Sequence, residues 1–254
     1  NFGIKSQPLI YDFRILKQYN KHLNENCIVI ITLVPLVFCL VEYKDDSANN
    51  KYYYFLKPEY ISNYSYLKYI TRVSLPVLSA KKDIRYILKD VGRNNEYTQD
   101  IKASDEELKK AAETRMNGWE KEFLLKDAIS GYVSDENKRN FEYTVNVLKE
   151  MIEFCFENKF RPVLVVPPVS GYLNFLLSER LLYNYFYKNV EKANARAIPF
   201  FDYLKDARFQ EGADYIINSD FLNQKGRELF TEIVINDLKN IGYLDKTDLN
   251  AVHG

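Results

Sequence analysis

Arg161-Pro-Val-Leu-Val-Val-Pro-Pro168 is a short apolar run closed by two prolines. It is continuous rather than alternating. A run of that kind describes a strand covered on both faces, as in a parallel sheet with helices on each side.

Segments on either side of this run fit the same plan. Asn137 to Asn158 predicts an amphipathic helix, with Phe141, Val145, Leu148, Met151, Ile152 and Cys155 on one stripe. Leu173 to Asn194 reads as a second helix and Ile198 to Asp202 as a strand. Gln224 to Asn240 reads as a final helix that Asn223 can cap through its side-chain carbonyl. Upstream, Ile10 to Asn24 reads as a helix, Ile28 to Leu33 as a buried strand, and Asn1 to Ile4 as the end of a strand. Strands separated by helices imply parallel pairing through crossovers. The expected fold is a three-layer α/β/α domain of flavodoxin-like type. Its strands should lie near 1–4, 28–34, 162–167 and 198–202, with a helical insertion at about 80–134. One domain over 1–245 and a tail over 246–254 is the simplest organisation.

Composition excludes several classes. Thirty-five basic residues balance 35 acidic ones, so a general nucleic-acid binder is not expected, and nothing draws the chain electrostatically to anionic lipid. The longest apolar run, Cys27 to Val41, is shorter than the roughly 20 residues of a membrane helix, and Pro35 interrupts it. Cys27, Cys39 and Cys155 each sit in an apolar run and read as buried free thiols. With no C-x-x-C or Cys/His cluster, neither a disulfide framework nor a metal site is expected, and no cofactor is implied. The opening Asn1-Phe-Gly-Ile does not read as a signal peptide. Asp105 to Glu113 reads as a solvated helical face and Trp119 as a core or lid aromatic. Oligomeric state is open.

Ligands of parallel α/β sheets bind beyond the carboxyl ends of the strands. Four loops qualify: Gly3–Pro8, Thr32–Cys39, Pro167–Asn174 and Asp202–Asn223. The last contains the most specific pattern in the chain, Asn218-Ser-Asp-Phe-Leu-Asn-Gln-Lys-Gly226, followed by the final amphipathic helix.

That pattern resembles the late loop of the SGNH, or GDSL-like, hydrolase superfamily, which reads Asp-x-x-His-Leu-Asn-x-x-Gly. Arg161 to Pro168 resembles the family's penultimate strand, Phe200-Phe-Asp-Tyr203 its last strand, and Asn1-Phe-Gly-Ile its second strand. The resemblance follows order and spacing over most of the chain. It is similar to a bacterial branch with a helical insertion that handles acyl groups on cell-surface polymers. It implies an esterase or acyltransferase lineage, an acylated glycan or other cell-envelope polymer as partner, and an extracytoplasmic or membrane-associated setting. It also implies that Gly3 supplies an oxyanion-hole amide, with Ser6 and Gln7 following in the same loop. The implied binding set is Gly3, Ser6, Gln7, Pro168, Ser170, Asn218, Phe221 and Asn223.

The departures fall on the chemistry. Aligned on Leu222-Asn223 and Gly226, the family's Asp falls on Asn218 and its His on Phe221, whose ring cannot accept a proton. The two histidines, His22 and His253, lie far from this loop in sequence. The family's nucleophilic Ser would precede Asn1, which predicts a vacancy beside the sheet. Asp220 is the candidate displaced base, if an apolar pocket raises its pKa. Its bland reading is a loop carboxylate bonded to nearby amides. Asp202 reads as a structural strand-end carboxylate and Ser170 as a turn residue. Three readings stay open: an inactive relative that binds a glycan or partner, a piece of an active esterase with an unusual base, or an α/β module of another kind such as an assembly module.

Overall fold

The structure, a computed structural model, describes residues 7–42, 48–74, 103–125, 132–210 and 214–244. It is a mixed α/β fold, largely helical, around a three-stranded parallel sheet. The strands are β1 (Ile28–Thr32), β2 (Arg161–Val166) and β3 (Phe200–Asp202), in spatial order β1-β2-β3. Ile30 lies opposite Val163, and Leu164 lies opposite Phe200. The helices are α1 (Leu9–Tyr19), α2 (Tyr66–Tyr69), α3 (Asp105–Glu122), α4 (Asp135–Glu157), α5 (Gly171–Leu176), α6 (Glu179–Leu182), α7 (Lys188–Ala193) and α8 (Gln224–Asn240).

β2 is the centre of the sheet, and both of its faces are dry. Val163 and Val165 pack with Tyr203, Phe209 and the α8 residues Ile233, Val234 and Leu238. Leu164 and Val166 belong to the larger core with α1 (Leu9, Phe13, Leu16), α4 (Phe141, Val145, Leu148, Ile152) and α7 (Val190, Ala193). The continuous apolar run thus has the two-sided cover that its pattern predicts. α4 presents the expected stripe, and Ser134 caps it by accepting from the Asn137 amide at 3.1 Å.

Three local expectations need correcting. β1 is not fully buried. It is an edge of the sheet among the described residues, and Ile30, on the α8 side, is 48% exposed. Cys27, just before it, is only half-buried, whereas Cys39 and Cys155 are buried and all three are free thiols. Burial pushes the Cys155 thiol up to about 12, which leaves it protonated and inert.

The single helix expected over 173–194 is broken. α5 stops at Leu177, and Ser178 starts α6 by accepting from the Leu181 amide at 3.2 Å. A Ser satisfied as a cap competes with continuing the helix. A π turn at Tyr183–Tyr187 then leads into α7. This wider turn accompanies a buried Tyr185, whose hydroxyl donates to the Tyr132 carbonyl at 3.0 Å, and a Tyr187 whose hydroxyl donates to Asp202 Oδ2 at 2.7 Å.

The strand expected near 1–4, the tail over 246–254, and 75–102 and 126–131 of the chain lie outside the described residues. Among the described residues, no helix is long and apolar enough to cross a membrane.

The two sheet positions should respond differently to truncation. Leu164→Ala, at a residue with 0% exposure, is expected to destabilise the fold by about 2–5 kcal/mol. Ile30→Ala should cost under about 1 kcal/mol, because the side chain is already half in water. Urea unfolding midpoints at unchanged slope measure both. Equal losses would show that β1's outer face is covered.

Candidate functional site

The loops after β2 and β3 meet at the carboxyl end of the sheet. After Val166 the chain turns through Pro167 and the buried Pro168 to Ser170, which is 2% exposed. Ser170 Oγ caps α5 by accepting from the Leu173 amide at 3.2 Å, and its own amide donates to the Ser219 carbonyl at 2.9 Å. Gly171 is required here, since a Cβ would stand 2.5 Å from the Gln210 carbonyl oxygen. Gln210 ties the loops further: Asn174 Nδ2 donates to its Oε1 at 2.9 Å, and its Nε2 donates to the Val169 carbonyl at 3.0 Å.

The late loop is a tight reversal. Asn218 Oδ1 accepts from the amides of Asp220 and Phe221, both at 3.0 Å. The Ile217 amide donates to the Phe221 carbonyl at 2.9 Å, and Ile216 bridges antiparallel to Leu222. Asn223 then closes the structure, as expected of the helix cap. Its Oδ1 accepts from the Gly226 amide at 2.8 Å, its Nδ2 donates to the Asp214 carbonyl at 2.9 Å, and its amide donates to the Tyr215 carbonyl at 2.9 Å. A Cβ on Gly226 would sit 2.2 Å from the Tyr215 carbonyl oxygen, so only glycine fits where the loop lies on the first turn of α8.

Asp220 does not lie in an apolar pocket. Its Oδ1 accepts from Arg115 Nη2 at 3.0 Å, from Arg115 Nε at 3.2 Å and from Ser219 Oγ at 2.8 Å. It is therefore ion-paired to α3, rather than poised as a desolvated base or bonded to neighbouring amides. Both side chains of the pair are partly exposed, at 32% and 20%. Phe221 is half-buried beside it. Ser170, Asn218, Asp220, Phe221 and Asn223 are thus brought to one corner, with Pro168 in the adjoining turn.

Gly3 and Ser6 lie outside the described residues, so the oxyanion loop and the distance from Phe221 to Gly3 do too. Gln7 is described, and its side-chain amide donates to Asp12 Oδ1 at the start of α1. Asp202 is structural, as its strand-end position suggests. Its Oδ1 accepts from the Leu204 amide at 2.9 Å and its Oδ2 from Tyr187. Burial, and then this carboxylate, push the Tyr187 phenol above its usual range. His22 is exposed on the turn after α1, before β1 begins and so at the opposite end of the sheet; His253 is outside the described residues. Among the described residues no cluster of His, Cys, Asp and Glu could hold a metal ion.

Sequence reasoning missed Arg115, and it read Trp119 only as a core or lid aromatic without placing it beside the late loop. Arg115 meets Asp220 across 105 positions, and the charged start of α3 reads as a solvated face. The available signal was the Arg-Trp pair at i, i+4, which shares one side of a helix. The Arg115 guanidinium carbon is 5.9 Å from the Trp119 ring centroid.

Two measurements probe this corner and, separately, the start of α1. Gly226→Ala should destabilise by about 1–3 kcal/mol through overpacking against backbone, and Asn223→Ala by about 1–2 kcal/mol, with Asn223→Ser recovering part through its hydroxyl cap. Thermal unfolding ranks the three. Burial raises Asp12 from 3.8 to about 7, against the opposing bond from Gln7 and charge of Lys51. The folded state therefore keeps a proton that the unfolded chain has released between those values. The contribution of Asp12 to stability falls as pH rises from about 4 to about 7 and is then flat. Asp12→Asn should remove that fall, so its stability relative to the wild type should grow across the same window in urea titrations. A constant difference would place Asp12 in an unperturbed environment. Comparison with protein-family models, curated proteins and solved structures finds no match for this chain.

Proposed function

We propose that this chain is an SGNH-hydrolase-like domain, three-layered and flavodoxin-like, that holds an acylated cell-surface glycan without cleaving it. Its lineage is that of esterases and acyltransferases acting on envelope polymers, and its setting is extracytoplasmic. The observation that carries this reading is the state of the late loop. Phe221 stands at the family's proton-shuttle position, and the neighbouring carboxylate of Asp220 is held by Arg115 and Ser219. A general base must present an unshared lone pair within reach of the proton it takes. Asp220 Oδ1 accepts three hydrogen bonds, so that oxygen is committed to α3 and Ser219 and only Oδ2 is left to take a proton. Losing one member of a Ser-His-Asp triad typically lowers kcat by about 10⁴–10⁶. What remains at the corner is an aromatic side chain among hydrogen-bonding groups, a surface suited to binding.

The purified chain should hydrolyse p-nitrophenyl acetate no faster than buffer containing an unrelated protein. A turnover abolished by Asp220→Asn and indifferent to Phe221→Ala would overturn the non-catalytic reading and make Asp220 the base.

A further inference from the structure

A shallow groove of about 530 Å3 runs between α3 and the Asn218-Ser219 turn, lined chiefly by Glu107, Lys110, Arg115, Gly118, Trp119 and Glu122 on the α3 side. We infer that this groove binds a neutral sugar ring, with Trp119 as the stacking platform and Gly118 as the bare floor beside it. The inference rests on the glycan-holding reading above and places the glycan.

Three observations carry it. The first is Gly118 itself. It interrupts an 18-residue helix, where glycine is the least favourable residue after proline. Close packing does not demand it, because a Cβ there would meet nothing within 4 Å among the described residues. Packing among the described residues gains nothing from a missing side chain at this position, but a flat ligand lying on the helix does.

The second is the aromatic. Trp119 is half-buried, packed against the main core on one side and lining the groove on the other. Arg115, whose guanidinium carbon lies over the ring 5.9 Å from its centroid, is held by the Asp220 ion pair, so a sugar would share the indole face with the guanidinium and meet a wall ordered before it arrives. The C–H face of a pyranose carries partial positive charge and suits the negative face of an indole. At the opposite wall Asn218 has its side-chain Nδ2 to offer, its Oδ1 being taken by two amides, while Ser219 is 2% exposed and its Oγ is committed to Asp220.

The third is charge. Two carboxylates, Glu107 and Glu122, balance two cations, Lys110 and Arg115, around the groove. A strongly anionic or cationic ligand would find as much repulsion as attraction, whereas a neutral polyol can hydrogen-bond to both signs. The volume lies within the roughly 300–1,000 Å3 of small-molecule sites.

Trp119 is the only tryptophan in the chain, so intrinsic fluorescence excited at the indole reports this groove directly. Chitotetraose, cellotetraose and maltotetraose, titrated to millimolar concentration, should include at least one that shifts the emission saturably. Gly118→Ala should raise the melting temperature by ~2–4 °C, as a helix gains propensity, and weaken that saccharide at least several-fold. Gly118→Leu should weaken it further. A stabilised variant with lost binding cannot be explained by misfolding. Calorimetry with the same saccharides separates the two readings. Heat without a Trp119 response, and unaffected by Gly118→Leu, overturns the groove and leaves glycan binding elsewhere. Silence in both measurements overturns both. Tighter binding of tetragalacturonate than of every neutral probe overturns the assignment to a neutral sugar.

Discussion

A strand whose successive side chains all leave water must be covered on both faces, and β2 imposes that demand on this chain. Val163, Leu164, Val165 and Val166 are exposed by 2% or less. Side chains alternate across a strand, so two of these four need partners above the sheet and two below. α8 meets one pair, and α1, α4 and α7 meet the other. Helices on both faces require the chain to cross from strand to helix and back, which makes the neighbouring strands parallel. Parallel strands end together. That is why the turn after Pro168 and the long loop after Asp202, 50 residues apart in sequence at Ser170 and Asp220, become neighbours joined by a backbone hydrogen bond from Ser170 to Ser219 and by the side chain of Gln210.

Once the loops are neighbours, their backbone polar groups must be satisfied without a sheet ladder. Gln210 and Asn223 do this with side chains that bond carbonyls and amides of the adjoining turns. Two glycines mark where main chains touch, Gly171 against Gln210 and Gly226 against Tyr215. The Leu-Asn-x-x-Gly part of the late motif therefore has a mechanical cause that is independent of catalysis. Asn223 caps α8, and Gly226 lets the loop lie on it. The fold needs this Asn and this Gly whatever the rest of the loop does, since one caps the helix and the other admits a touching main chain.

How much of this the sequence disclosed follows from the range of each interaction. β2, α4, α8 and the Asn223 cap were legible because each is specified by periodicity or by a contact three residues away. The long helix over 173–194 was misread because its apolar spacing survives the break at Leu177, and only the capping competence of Ser178 and the π turn reveal it. The exposure of Ile30 was not legible either, since an apolar strand reads the same at a sheet's edge as at its centre. At the site, the Asn223 cap is local and was found, whereas Asn218 was read only as the position aligned with the family's Asp and not as the acceptor that holds the turn. The Arg115–Asp220 pair joins α3 to the late loop, and no periodicity encodes a contact of that range.

That pair also decides what kind of surface the corner can be. An isolated, half-exposed ion pair contributes little stability, typically under about 1 kcal/mol, so its main effect is positional. It fixes the Asp220 carboxylate toward α3, holds Arg115 beside Trp119, and makes the Asn218-Ser219 turn one wall of the groove whose other wall is α3. A carboxylate acting as base must turn a free oxygen toward the reacting proton, and the Oδ1 of Asp220 is turned to Arg115 and Ser219 instead. In the state observed, the Arg115–Asp220 pair orders a partly aromatic, charge-balanced surface, and pre-ordering of that kind lowers the entropic penalty of any binding that occurs there.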